Sequence, residues 1–327
     1  MDGPVRVARP PLGWSDEHPP PTGFQHVLHD PETDATAVVT QVGASLRSFT
    51  VAGRDVISSY PESDLAPAGH GAILAPWPNR LADGAYTFDG VSYQLPITEV
   101  ERRTALHGLV THQRWDLAHA STTEVVLSLQ TVPVAGYPWS LLLTVTYTLS
   151  GPGLAVTVHA SNLSDSPAPY GVGFHPWLSP GEGGLEDATF SLDATRWIRP
   201  DERLLPVGEE DLPQHLDFRS ARAVGTTDID DAFTGITRDG DGLSWGRLTG
   251  TDGRTAAIWT NDSMDTWQVC TGDHLDAVEY RRQGLAVEPM SCIADAFNTG
   301  DRLVRLAPAG GTDGVAQHVV TWGLRLL

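Results

Sequence analysis

The chain contains no lysine. Its 21 basic residues are all arginine, set against 41 Asp and Glu in 327 residues, for a formal charge of −20. Without a lysine amine, Schiff-base and pyridoxal-phosphate chemistry and the Walker-A phosphate grip are excluded. A net-negative field repels phosphate backbones and anionic headgroups, so neither nucleic acid nor a membrane surface is expected as a partner. Cysteine is nearly absent as well. Cys270 and Cys292 stand in the apolar stretches WQVC and PMSC, which read as buried, reduced thiols rather than a disulfide framework. No apolar run of about 7–15 residues follows the first charges, and none approaches the roughly 18 that a membrane span needs, so a soluble, cytoplasmic protein is expected.

Glycine and proline are plentiful, 33 and 24 residues, and their spacing leaves no room for long amphipathic helices. Between them lie short runs of period-two alternation, the mark of strands. Leu141, Leu143, Val145, Tyr147 and Leu149 share one face opposite Thr144, Thr146 and Thr148. After the turn SGPG, Leu154, Val156 and Val158 continue the pattern as the second arm of a hairpin. Further strands are expected at 36–40, 47–51, 85–88, 91–95, 123–129, 188–193, 255–260, 264–270, 284–288, 302–307 and 317–326. Helices are expected only near 209–216 and 291–297. Residues 1–22, rich in proline, read as an extended arm, and 23–327 as one all-β domain, a large antiparallel β-sandwich.

Five segments carry candidate chemistry. Read as a strand, PYGVGFHPWL (169–178) puts His175 on one face with Gly171 and Gly173, which would leave open space beside the imidazole. In GLAVEPM (284–290), Leu285 and Val287 face the core. Glu288 ends the opposite face, where Pro289 stops the ladder, and reads as a general base tuned by desolvation. APWPNRL frames Trp77, Asn79 and Arg80 with prolines, and an arginine fork beside an amide suits vicinal hydroxyls. DIDDAF offers Asp230 and Asp231. His107 precedes Gly108 in ALHGLV, but His107 and His112 are five apart and would point to opposite faces of a strand. With no HExxH or paired CxxC, no metal is expected, and without a GxSxG elbow or a helix-opening GxGxxG neither is a hydrolase triad or dinucleotide cofactor.

The segments APWPNRLADGAYTFDGVSYQLP (75–96), ALHGLV (105–110), YGVGFHPWL (170–178), IDDAF (229–233) and VEPMSCIADAFNTGDRLVRLAP (287–308) together resemble the aldose 1-epimerase (galactose mutarotase) family over roughly residues 23–326. The resemblance implies the galactose mutarotase-like supersandwich, with Glu288 as general base and His175 as general acid. It further implies that His107 hydrogen-bonds the substrate, that Arg80 and Asp230 bind sugar hydroxyls, and that Asn79 adds a contact. Two departures bear on the preferred sugar. Glu288 is followed by Pro-Met instead of Thr-Gln, and Asp230 by Asp instead of His or Asn.

The implied reaction interconverts the α and β anomers of a free aldohexose of the glucose/galactose type, without a cofactor because only protons move. It asks for ionised Glu288 and protonated His175 near neutrality. The implied partner is a monosaccharide, and the expected state is a monomer or a homodimer. Three rivals stand beside this reading. A hexose-6-phosphate 1-epimerase would draw on Arg80, Arg102 and Arg103, a glycoside hydrolase on Asp230 and Glu288, and a non-catalytic sugar-binding protein on the cleft alone.

Overall fold

The computed structural model describes residues 20–327. The arm expected over 1–22 therefore lies, up to residue 19, outside the described residues. Thr22 is buried, and its hydroxyl donates to the Glu62 carbonyl at 3.0 Å.

Two large antiparallel sheets dominate the described residues. One orders nine strands as Asp116–Ala120, Glu124–Gln130, Leu141–Ser150, Gly153–Asn162, His318–Leu326, Thr255–Thr260, Ser244–Thr249, Thr189–Leu192 and Arg222–Ala223. The alternation of the central hairpin is as expected. Leu141, Leu143, Val145 and Tyr147 are fully buried while the threonines between them are half-buried, and Ser150 pairs with Gly153 across the turn. The second sheet runs Pro206–Asp211, Ala194–Pro200, Asp230–Ile236, Thr266–Cys270, Leu285–Met290, Gly173–Phe174 and Ile73–Leu74, with Trp177–Leu178 also pairing to Leu285–Met290. Their inner faces form one core. Phe174 meets Trp322 with ring centroids 5.0 Å apart, the Trp267 indole donates to the Ser244 hydroxyl at 3.3 Å, and Gly246 leaves room for Val287. The described residues are all but entirely β-strand and turn.

Several local expectations are corrected. The helix expected at 209–216 is the strand Pro206–Asp211 followed by the single 3₁₀ turn Gln214–Leu216. Pairing with Ala194–Pro200 overrides the weak helical signal of a Glu-rich stretch. Near 291–297 the helix is the single turn Ala296–Thr299. Pro289 does not stop the ladder: Leu285–Met290 runs through it, pairing Pro289 with Trp267 and Met290 with Thr266. The segment 169–178 is three short strands, Ala168–Tyr170, Gly173–Phe174 and Trp177–Leu178. Its glycines face no open space. A Cβ on Gly171 would lie 2.3 Å from the Cys292 sulfur, and one on Gly173 2.8 Å from Pro78, so both glycines admit close neighbours. Both cysteines are buried and unbridged.

Candidate active site

Strand register builds the floor of a cleft on the outer face of the second sheet. Asp230 pairs with Cys270, Cys270 with Ala286, and Ala286 with Trp177, which makes one row. One pleat along, Ala232 pairs with Gln268 and Gln268 with Glu288. Residues at every second position share a face, so five of these seven side chains line the cleft, Ala286 lies buried beside Trp177 and Cys270, and Ala232 lines an adjoining hollow. The intervening Trp267, Val269, Leu285 and Val287 point into the core. The cleft encloses about 640 Å³ including its mouth, within the range of small-molecule sites. His175, Asn79, Arg80, His107 and Glu99 complete its walls, so all six candidate residues read from the sequence meet in one place.

His175 and Glu288 face each other. Nε2 of His175 lies 3.4 Å from Oε1 of Glu288, and both side chains are almost wholly buried. The other polar atom of each, Nδ1 of His175 and Oε2 of Glu288, is buried without a hydrogen-bond partner. Orphaned atoms of this kind are costly unless a ligand takes them up. The backbone holds His175 tightly, its N–H donating to the Ala72 carbonyl at 3.0 Å and its carbonyl accepting from Gly71 at 2.8 Å. Gly69, not Gly171 or Gly173, is the glycine that clears the imidazole: a Cβ there would sit 3.0 Å from Cδ2. Trp177 stacks on His175 at 5.6 Å and on buried His70 at 4.8 Å.

The ionisation the sequence reading asked for meets opposition. Burial, reinforced by the neighbouring His107 and His70 rings, holds His175 well below the usual histidine range. Burial and then Asp230 push Glu288 well above the carboxylate range, with Arg80 pulling the other way. Empty, the pair therefore favours a neutral imidazole and a protonated carboxyl. The form with ionised Glu288 and protonated His175 differs from it by moving one proton across the 3.4 Å contact, with no change in net charge.

Asn79 and His107 fix each other. Each has a left-handed backbone, φ 57° and 62°. The Asn79 N–H donates to His107 Nδ1 at 3.1 Å, and the His107 N–H donates to the Asn79 carbonyl at 2.9 Å. This leaves Nε2 of His107 to carry the ring proton. Burial, then the Arg80 charge, pushes His107 down to about 3. Gly108 beside it lets the chain graze the Ala75 carbonyl, 2.1 Å from where a Cβ would be. Arg80 donates from Nε and Nη2 to the two oxygens of Glu99 at 2.9 and 3.1 Å, and from Nη2 to Asp230 at 3.5 Å. Gln268 donates to the other Asp230 oxygen at 2.7 Å. The second member of the aspartate pair, Asp231, points to the opposite face and accepts from the Trp197 indole at 2.7 Å.

Glu99, Gln268, Cys270 and His274 also line the cleft and escaped the sequence reading. Gln268 and Cys270 had a usable signal, since they alternate with the core residues Trp267 and Val269. Glu99 sits in a polar loop with no such periodicity. Of the tryptophans in and near these segments, Trp177 reaches the cleft, while Trp77 and Trp139 belong to the core.

Comparisons with known proteins agree with this architecture. The family model for aldose 1-epimerase matches residues 25–310. The Escherichia coli uncharacterized protein YihR is 35% identical over 276 residues, 84% of this chain and 86% of its own length. The galactose mutarotase of Sus scrofa is 29% identical over 145 residues, 42% of this chain and 41% of that one. Among solved structures, the GalM/aldose epimerase homologue from C. elegans aligns with a TM-score of 0.80 at 18% identity, covering 93% of this chain and 98% of that one. The galactose 1-epimerase from Lactobacillus acidophilus aligns at 0.76 and 18%, covering 91% and 92%.

Proposed function

The chain belongs to the aldose 1-epimerase family, and on that premise we propose that this isomerase opens and recloses the ring of a free aldohexose of the glucose/galactose type. Glu288 takes the proton of the C1 hydroxyl, the bond from C1 to the ring oxygen breaks, and His175 gives that oxygen a proton. The product is the open aldehyde. Rotation about C1–C2 presents its other face, and the same two groups in reversed roles close the ring. Each positioned group contributes roughly 10²–10⁴-fold.

The observation that carries this reading is the buried pair itself, a carboxyl 3.4 Å from an imidazole with one unpartnered polar atom on each. Around it, Arg80 and Asp230 offer a donor and an acceptor for vicinal hydroxyls, His107 presents an N–H, and Asn79 turns its amide toward Arg80. The Trp177 ring adds an apolar surface for C–H groups.

The hexose-6-phosphate reading finds less support. Arg80 and Arg102 both bond Glu99, and Arg103 pairs with Asp83 at 3.0 Å on the surface, so each cation already has a carboxylate. Polarimetry of freshly dissolved α-D-glucose and α-D-galactose, with and without the protein, tests the proposal. Acceleration of either sugar over the spontaneous rate is expected. Unchanged rates for both, with binding retained, would leave a sugar-binding protein instead.

A further inference from the structure

Arg80 and Arg102 converge on one carboxylate. Oε1 of Glu99 accepts from Arg80 Nη2 at 3.1 Å and from Arg102 Nη1 at 3.0 Å, and Oε2 accepts from Arg80 Nε at 2.9 Å and Thr104 Oγ1 at 2.6 Å. A tight turn fixes it there: the Glu99 and Thr104 backbones exchange N–H to carbonyl bonds at 3.0 and 3.1 Å, and Arg103 takes a left-handed φ of 54°. Burial works against the charge on Glu99, but the bonds from Arg80 and Thr104 outweigh it and keep the carboxyl below its usual range.

We propose that Glu99 is a specificity-determining residue: its carboxylate occupies the two-arginine position that a phosphate or carboxylate group of a sugar would take, and so restricts this end of the cleft to uncharged aldoses. The inference rests on the reading of the cleft as an aldose site. The geometry supports it in two ways. The planar edge of Arg80 that grips an oxyanion bidentately, Nε with Nη2, is already filled by Glu99. What remains is Nη1, held 3.3 Å from the Asn79 side-chain oxygen, suited to a single hydroxyl. The charges also balance, two guanidiniums against Glu99 and Asp230, so an added anion would meet no net attraction and the nearest carboxylates would repel it.

The test compares Glu99→Gln, which keeps the volume and one acceptor oxygen, with the wild type. Anomer exchange of glucose and of glucose 6-phosphate is followed by NMR saturation transfer, and the Kd of each sugar by tryptophan fluorescence. Glu99→Gln should raise the glucose 6-phosphate to glucose ratio of kcat/KM by about tenfold or more, chiefly through KM, with the gain shrinking as salt is added. Arg102→Ala, which removes a partly exposed cation and leaves Glu99 in place, should move the ratio the other way. A ratio unchanged in both variants, or a wild type that already prefers the phosphorylated sugar, overturns the inference. If the wild type accelerates neither sugar, the functional reading falls while the Kd ratios still decide the role of Glu99. Equal ratios, or no binding of either sugar by any form, overturn it.

Discussion

A carboxyl and an imidazole share one proton at the centre of this cleft, and their burial sets how the pair titrates. Because Glu288 is held above its ordinary pKa of 4.5 and His175 below its ordinary 6.5, the one-proton state of the pair persists beyond both values. Activity is lost as pH rises through the raised Glu288 value, when the pair loses its proton, and as pH falls through the depressed His175 value, when it gains a second. The kcat/KM profile for galactose or glucose should therefore show a plateau extending below pH 4.5 and above pH 6.5, provided the fold survives. A bell confined between those two values would contradict the burial argument. His175→Ala and Glu288→Gln should each lower kcat at least about a hundredfold while the far-ultraviolet circular dichroism stays that of the wild type. Near-normal turnover in either would remove the assignment. Both residues were legible in the sequence. Their protonation was not, because it depends on how deeply neighbouring chain segments bury them.

Strand alternation sorts neighbouring residues into different tasks. Asp230 and Asp231 are adjacent, yet one faces the cleft beside Arg80 and Gln268, and the other faces away to accept from Trp197. Asp230→Ala should raise KM by about tenfold or more through loss of hydroxyl binding. Asp231→Ala should leave KM unchanged and cost about 1–3 kcal/mol of stability for the two hydrogen bonds it accepts, from the Trp197 indole and the Asp230 N–H, read as a lower denaturation midpoint. Equal effects on KM would mean the strand does not discriminate between its faces. The turn Pro67–Gly69 gives a second case. Gly69 has a φ of 71° and lies against His175, so Gly69→Ala strains the backbone and crowds the imidazole. It should lower kcat more than it raises KM. The sequence showed most strand positions through their period, but it missed strands such as Ala194–Pro200 and Pro206–Asp211, where exposed, charged faces hide the alternation. It misread Gly171 and Gly173, since whether a glycine clears space for a ligand or for Pro78 depends on which segment packs over it.

Across the whole molecule, neutral buried histidines couple folding to pH. His70, pushed down to about 4 by burial, and His107, down to about 3, charge on unfolding at any pH below about 6.5. A folded-state pKa below the unfolded value stabilises at high pH, and that stability is lost as pH falls. Each group contributes at most about 1.4 kcal/mol per pH unit. Midway between the ordinary values of 4.5 and 6.5 the Glu288–His175 pair holds about one proton folded or unfolded and adds little slope. The urea midpoint should therefore fall as pH drops from 6.5 to 5, and His70→Phe, which keeps a ring against Trp177, should flatten that decline. An unaltered slope would show that His70 is already charged in the fold. The sequence by itself determined the all-β class and the alternating core faces, which follow from side-chain periodicity, and its five family-like segments pointed to the six residues that meet in the cleft. Only the tertiary structure decided that Gln268 and Cys270 pave the floor between Asp230, Glu288 and Trp177, that Glu99 fills the arginine fork, and that the His175–Glu288 pair is buried. Those depend on the register between strands and the loops packed over them, which join residues as far apart as Arg80 and Asp230 and leave no mark in local sequence.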